Sequence, residues 1–232
     1  MKLKPHVFAD ADATAQKAAD FITRLAHQCV AERGRFLLAV SGGKTPAKMF
    51  EILAALNLPW SRMHIIQVDE RIAPLGDMDR NLTSLQQHLL AHVPLTTQQV
   101  YPMPVEVRDL PAAAQEYTGV LQRLGGSPPV FDLVHLGLGA DGHTASLVPG
   151  DPVLEVRDTD VAITGVYQRH RRMTLTYPFI NRSRQILWLV TGAAKAQVLA
   201  HLCDNDADMP ACHIERQCAV VFADRAAATH VT

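Results

Sequence analysis

The chain has 232 residues, of which 48% are apolar and 19% charged, and this composition excludes a disordered protein. Lysine and arginine together number 22 against 23 acidic residues, so the near-neutral balance argues against a general binder of nucleic acid or of anionic membranes. The length favours one large domain, and we expect residues 1–232 to form it. The apolar runs are too short to span a bilayer. No secretory signal is predicted after Lys2 and Lys4, and the four cysteines lack CxxC spacing, so we expect a cytoplasmic protein with reduced thiols.

Short apolar runs alternate with longer amphipathic segments along the chain. Residues 12–33 carry apolar side chains at helical spacing and predict a helix. Strands are predicted at the apolar runs 36–40, 65–68, 131–136, 161–166, 186–190 and 219–222. Because these runs are apolar on both faces and are separated by helices, the expected fold class is α/β. The architecture is a single-domain, largely parallel open sheet of Rossmann-like type with helices on both faces.

Four polar or glycine-rich clusters each follow a predicted strand, at residues 41–46, 69–71, 137–143 and 191–195. Ligands of an open parallel sheet bind beyond the carboxyl ends of its strands. We therefore expect these four clusters, although distant in sequence, to meet in one crevice.

The first cluster, Ser-Gly-Gly-Lys-Thr-Pro at 41–46, is typical of a phosphate cradle. Glycines let the backbone approach an anion, and a helix N-terminus presents free N–H groups and the positive end of its dipole. Thr45 is expected to cap the following helix, with Pro46 at its first position. A nucleotide P-loop is not expected, because position 38 is Leu38 where that motif needs glycine. A glycine turn with an ordinary cap is the structural alternative.

The third cluster matches GxGxxG at residues 137–142, a pattern also found in dinucleotide sites. Pro149 and Gly150 interrupt the chain too soon for the long helix that such a site requires, so we do not expect one. His143 remains, at a strand end beside Asp141. A histidine can take a proton from water near neutral pH, and a neighbouring carboxylate can fix its tautomer. Most of the eleven histidines must nevertheless be structural or solvated, and this alternative applies to His143 as well.

Three further charged features are candidates for the predicted crevice. Asp69 and Arg71 could orient a sugar or stabilise an oxyanion, although a surface ion pair is the commoner meaning of such a run. Lys195 is expected in the first turn of a helix, where a cation opposes the macrodipole unless an anion is bound; a solvated lysine is the alternative. The basic run 169–172 is either a solvated patch or the source of one arginine for an anionic ligand.

Several stretches together closely resemble the 6-phosphogluconolactonase family: 41–46, 68–71, 136–147, 172–176 and 192–196. They occur in the family's order, and the stretch Gly-His-Thr-Ala-Ser-Leu at 142–147 is the most specific of them. Two positions depart from the family pattern. Val148 stands where phenylalanine is usual, and Arg80 precedes Asn81 where serine is common, which we expect to alter the rim of the crevice.

The resemblance implies hydrolysis of 6-phospho-D-glucono-1,5-lactone to 6-phosphogluconate in the oxidative pentose phosphate pathway, with no metal and no cofactor. The substrate would be the small sugar-phosphate lactone, with no nucleic-acid, membrane or obligate protein partner. His143 would be the general base, Asp141 would support it, and Asp69 and Arg71 would line the sugar site, Arg71 being a candidate for stabilising negative charge. Substrate binding would fall to a larger set, mainly around the 6-phosphate: Ser41, Gly42, Gly43, Lys44, Thr45, Arg172 and Lys195.

Two other functions stay open at this point. A glucosamine-6-phosphate deaminase or isomerase would share the Asp-Gly-His turn, but that branch carries an acidic residue soon after the histidine and residues 144–149 contain none. A sugar-phosphate sensor would bind without turnover, and it would have no need of both His143 and Asp141.

Overall fold

The computed structural model describes residues 2–205 and 208–231. Within them, seven parallel strands form the central sheet in the order β1-β10-β9-β6-β2-β3-β5. The strands of this sheet are β1 (Pro5–Phe8), β2 (Phe36–Val40), β3 (Met63–Gln67), β5 (Val100–Tyr101), β6 (Leu133–Leu136), β9 (Ile186–Val190) and β10 (Ala219–Asp224). The helices are α1 (Ala11–Arg33), α2 (Lys44–Ala55), α3 (Asn81–His88), α4 (Leu110–Gly125), α5 (Tyr177–Asn181) and α6 (Ala196–Asp204). The predicted α/β class and parallel sheet are confirmed.

Both faces of the sheet are covered by helices, as the apolar runs predict. All five side chains of β2 are buried, and they alternate between two apolar clusters. Phe36 and Leu38 pack in the cluster that contains α1, α2 and α3, whereas Leu37 and Ala39 pack in the one that contains α4, α5 and α6. This alternation follows from the two-residue period of a strand. In the part of the chain described, no helix is long and apolar enough to cross a membrane.

The strand order places a crevice between β2 and β6. The chain runs from β2 to β3 and β5 on one side, and then returns to β6 on the other side of β2. The loops after β2 and β6 therefore leave the sheet in opposite directions, which opens a gap at the carboxyl ends of these strands. The first and third polar clusters are these two loops.

A second sheet, absent from the sequence prediction, lies beside this edge. It consists of β4 (Asp69–Arg71), β8 (Arg172–Leu175) and β7 (Val161–Ile163) in antiparallel order β4-β8-β7. Val68 joins the two sheets, because its N–H donates to Val40 O over 2.9 Å and its carbonyl accepts from Leu175 N over 2.8 Å. The prediction that 161–166 belongs to the parallel sheet is therefore wrong. Residues 69–71 do follow a strand of the main sheet, β3, as predicted, and they also form the strand β4 of the second sheet.

Candidate active site

A cleft of about 270 Å³ lies at the carboxyl edge of β2 and β6, and residues from all four predicted clusters line it. Of the eleven site residues that the sequence predicts, all but Asp141 line this cleft: Ser41, Gly42, Gly43, Lys44, Thr45, Asp69, Arg71, His143, Arg172 and Lys195. Asp141 lies directly behind His143. The expected convergence of the clusters is confirmed.

The loop after β2 passes into α2 at the floor of the cleft. Gly43 is the N-cap residue with φ of 115°, a conformation that only glycine adopts easily, and Lys44 is the first helical residue. Among the described residues, none caps this helix with its side chain, so the start of α2 keeps donor capacity toward an anion. The prediction that Thr45 caps the helix with Pro46 at its first position is wrong. The helix begins before both residues, and Thr45 Oγ1 instead lies 3.1 Å from Thr191 Oγ1.

Asn81 ties the first cluster to the second, a role that the sequence analysis did not assign. A Cβ on Gly42 would lie 2.0 Å from Asn81 Oδ1, so the glycine is required by this close approach. Asn81 Nδ2 donates to Asp69 O over 2.9 Å and to Asp69 Oδ1 over 3.1 Å. Its Oδ1 accepts from Arg71 Nη1 over 2.6 Å. The position of Asn81 at the start of α3, after polar turn residues, was the only local signal.

Asp69 and Arg172 form a buried pair on the second sheet. Ser146 Oγ donates to Asp69 Oδ2 over 2.6 Å, and Arg172 Nη1 lies 3.9 Å from the same oxygen. Burial lowers the pKa of Arg172 below its ordinary value, although Asp69 acts in the opposite direction. In the described part of the chain, Arg172 Nε has no hydrogen-bond partner. This arginine thus keeps capacity for an anionic ligand.

Only one arginine of the basic run 169–172 reaches the cleft. Arg172 is buried against it, whereas Arg169 lies on the surface with its Nη2 3.4 Å from Asp79 Oδ2. Arg171 is exposed and does not line the cleft. The run therefore contains both kinds of residue: Arg169 and Arg171 are solvated, and Arg172 is placed to contact a ligand.

Arg80 does not shape the rim, contrary to the expectation from its departure from the family pattern. Its side chain is 1% exposed, and its Nε lies 3.0 Å from Oε2 of Glu70, which is fully buried. Glu70 also accepts from the backbone N–H groups of Arg71 and Asn81, each over 2.8 Å. The ion pair lies behind the cleft and fixes the backbone that carries two of its lining residues.

His143 and Asp141 form a hydrogen-bonded dyad on the loop after β6. His143 Nδ1 lies 2.6 Å from Asp141 Oδ1, and Tyr167 Oη donates to Asp141 Oδ2 over 2.8 Å. Burial acts to raise the pKa of Asp141, but the hydrogen bonds from His143 and Tyr167 outweigh it and hold that pKa below its ordinary value. An ionised carboxylate accepts the Nδ1 proton, and this leaves Nε2 as the basic nitrogen.

The ring of His143 rests against the backbone of Gly139. A Cβ at that position would lie 2.0 Å from His143 Nδ1 and 2.7 Å from Asp141 Oδ1. After His143 the chain forms a bridge between Thr144 and Leu147 and, later, the 3-10 turn Pro152–Glu155. The long helix of a dinucleotide site is absent from this described stretch, as predicted. Gly139, the second glycine of the GxGxxG pattern, therefore makes room for the histidine ring.

Two supports of the cleft were not predicted. His135 on β6 is fully buried, and its Nδ1 accepts from Ser41 N over 3.3 Å. Burial lowers its pKa to about 4, so the ring is neutral at physiological pH. Asp224 at the end of β10 accepts from Gly192 N and fixes the turn before Lys195.

Lys195 ends the 3-10 turn Ala193–Lys195 and directly precedes α6, close to its expected place in a first helical turn. It lines the cleft, and burial lowers the pKa of its ammonium group, against a smaller opposite effect of Asp141.

The fold and cleft define an α/β protein of the doubly wound type, with a histidine-containing candidate ligand site, rich in cations, at its switch point. The family model for glucosamine-6-phosphate isomerases/6-phosphogluconolactonase matches residues 9–222, and the chain belongs to this family.

Named relatives show the same similarity. The chain is 37% identical over 197 residues to the 6-phosphogluconolactonase of Synechocystis sp., which covers 83% of this chain and 82% of that protein. It is 40% identical over 202 residues to the human GDH/6PGL endoplasmic bifunctional protein, which covers 84% of this chain but 25% of that much longer protein. The solved structure of 6-phosphogluconolactonase from Trypanosoma brucei matches with a TM-score of 0.86 at 25% identity, covering 99% of this chain and 100% of that one.

Proposed function

We propose that the protein hydrolyses 6-phospho-D-glucono-1,5-lactone to 6-phosphogluconate. The observation that carries this proposal is the Asp141–His143 dyad at the edge of a cleft that also contains Arg71, Arg172 and Lys195. A general base next to several cations suits an anionic substrate that reacts with water. The relatives named 6-phosphogluconolactonases support the same reaction, and the family description also names glucosamine-6-phosphate isomerases.

His143 acts as the general base in this proposal. Its Nδ1 proton is held by Asp141, and Nε2 takes a proton from water as the water oxygen attacks the lactone carbonyl. The tetrahedral intermediate then collapses with cleavage of the bond between the carbonyl carbon and the ring oxygen. The protonated histidine returns its proton to that oxygen. A lactone is an activated ester, so a base that contributes about 10²–10⁴-fold suffices without a covalent nucleophile.

The other polar and charged side chains of the cleft have separate proposed roles. Lys44 and Thr45 begin α2, and Lys195 lines the same cleft. These three residues would hold the 6-phosphate with the backbone of 41–43, together with Arg172. Arg71 would stabilise the developing oxyanion, since its Nη1 is already oriented by Asn81. Asp69 would orient sugar hydroxyl groups, because its carboxylate is fixed by Ser146.

We further infer that residues 1–232 work as one domain in the cytoplasm, with the sugar phosphate as the partner and without a cofactor. Burial raises the pKa of the thiols of Cys29 and Cys203 to about 11. Thiols that stay protonated are poor nucleophiles and oxidise slowly, which suits reduced cysteines.

A coupled assay tests the reaction. Glucose 6-phosphate dehydrogenase generates the lactone, and 6-phosphogluconate dehydrogenase reports its opening within a short time, before spontaneous hydrolysis dominates. We expect the wild-type protein to accelerate the second step well above the blank, and the surface variant His92→Ala to match it. No acceleration by folded protein contradicts the proposal. Release of ammonia from glucosamine 6-phosphate would then indicate a deaminase, and saturable binding without turnover would indicate a sensor.

A further inference from the structure

Tyr167 contacts both members of the dyad from a turn outside the sequence motifs that carry the family resemblance. Its hydroxyl donates to Asp141 Oδ2 over 2.8 Å and lies 3.4 Å from His143 Nδ1. The two rings pack edge to face with centroids 5.4 Å apart. The carboxylate of Asp141 is thus held at one oxygen by the tyrosine and at the other by the histidine.

The hydrogen bonds that lead to the carboxylate of Asp141 all run in the same donor-to-acceptor direction. Gln168 Nε2 donates to Tyr167 Oη over 3.2 Å, and this leaves the tyrosine proton for Asp141. Burial first, and then the hydrogen bond to Asp141, raise the pKa of Tyr167, so the phenol keeps that proton. Asp141 is the acceptor at the end of this series of hydrogen bonds. Its carboxylate is then free to accept a hydrogen bond from the Nδ1–H group of His143.

The turn that carries Tyr167 has a strained backbone. Tyr167 and His170 exchange backbone hydrogen bonds of 2.9 and 3.2 Å around Gln168 and Arg169, whose φ angles are 48° and 74°. Left-handed residues other than glycine cost free energy and persist where surrounding contacts impose them. Here Asp79 supplies such contacts, lying 3.2 Å from His170 Nε2 and 3.4 Å from Arg169 Nη2.

The ring of Tyr167 also covers a cation of the cleft. The guanidinium carbon of Arg172 lies 5.0 Å from the ring centroid, within the range of a cation–π contact. One side chain therefore meets the dyad through its hydroxyl and the anion-binding arginine through its ring.

We propose that Tyr167 is a positioning residue for the reaction: its hydroxyl fixes the carboxylate of Asp141 so that His143 keeps its proton on Nδ1 and presents Nε2 to water. The kinetic consequence of this role rests on the proposed function. The structural consequence, which is the tautomer of His143, does not.

The variant Tyr167→Phe removes the hydroxyl and keeps the ring over Arg172. We expect kcat for the lactone to fall about 10-fold to 100-fold, the value of one charged hydrogen bond, with KM within about twofold. Tyr101→Phe is the matched control. The hydroxyl of Tyr101 also lies near a histidine nitrogen, 3.2 Å from His64 Nδ1, but away from the cleft, and we expect no change in kcat.

A double-mutant cycle separates positioning from general structural support. In the Asp141→Asn background, Tyr167→Phe should change kcat less than about twofold, because contacting residues that act as a unit are not additive. A further tenfold loss in that background would show that Tyr167 does not act through Asp141, and would overturn the proposal.

Nitrogen-15 NMR of the imidazole of His143, identified by its loss in His143→Gln, gives a readout that needs no substrate. We expect the Nδ1–H tautomer in the wild-type protein and a raised fraction of the Nε2–H tautomer in Tyr167→Phe. Equal tautomer ratios would overturn the role of Tyr167. An inactive wild-type protein with the expected tautomer change would instead contradict the proposed reaction alone.

Discussion

Substitution of Gly139 by alanine tests how closely the loop after β6 is fitted to the dyad. The added Cβ would lie 2.0 Å from His143 Nδ1 and 2.7 Å from Asp141 Oδ1, where ordinary contacts begin at 3.4 Å. The imidazole must therefore move by about 1.4 Å, and the 2.6 Å hydrogen bond to Asp141 cannot survive in place. A misplacement of about 1 Å can reduce a rate about 10²-fold, so we expect kcat to fall about 10²-fold.

Gly119→Ala on α4 provides a control away from the cleft. A Cβ at Gly119 would meet only Arg123 Nη1, at 3.5 Å, among the described atoms, which is an ordinary contact. The coupled lactone assay should give this variant a kcat within about threefold of wild type. Thermal unfolding of both variants separates a displaced histidine from a loop that no longer folds.

A folded Gly139→Ala variant that keeps a kcat within threefold of wild type would contradict this prediction. That result would mean that the ring of His143 can leave its observed place without loss of rate. The dyad geometry would then not be the catalytic geometry.

Three further predictions concern the supports of the cleft. Arg80→Met leaves the buried Glu70 without its cation, and urea unfolding should show a loss of about 3–5 kcal/mol; a loss below 1 kcal/mol would contradict the importance of this ion pair. The pKa of His135 is about 4 in the folded protein, against an ordinary 6.5. The contribution of its neutral ring to the stability of the fold is therefore complete above pH 6.5 and is lost as the pH falls toward 4. The expected loss in the free energy of unfolding is about 3 kcal/mol. This free energy should depend less steeply on pH in His135→Gln, and an unchanged pH dependence would assign the loss to other groups. Ser146→Ala removes the 2.6 Å hydrogen bond to Asp69 and should lower kcat/KM about tenfold, whereas an unchanged value would remove Asp69 from the sugar site.

The parallel sheet was predictable because its strands are short, apolar on both faces and separated by helices. The run 36–40 is a strand with all five side chains buried, and 186–190 is another. Ligands bind at the carboxyl ends of such strands, and this rule was enough to predict that distant clusters meet in one cleft, without knowledge of the strand order. Strand order itself depends on long-range pairing, which local sequence does not encode.

The second sheet was not predictable from the same signals. Asp69, Glu70 and Arg71 form a strand although all three are charged, because their side chains are satisfied by Ser146, Asn81 and Arg80. These partners lie on other elements and carry no local pattern. Tyr167 was missed for the same reason, since its contacts cross from a surface turn to the loop after β6.

In the proposed mechanism, His143 moves a proton in the reaction and does not simply bind the sugar phosphate. The most direct test compares wild type and His143→Ala in two measurements, kcat for the lactone and the Kd for 6-phosphogluconate by calorimetry. We expect kcat to fall about 10²–10⁴-fold while Kd changes only a few-fold, because the cations that hold the product stay in place. An equal loss in both quantities would make His143 a binding or structural residue and would contradict the mechanism.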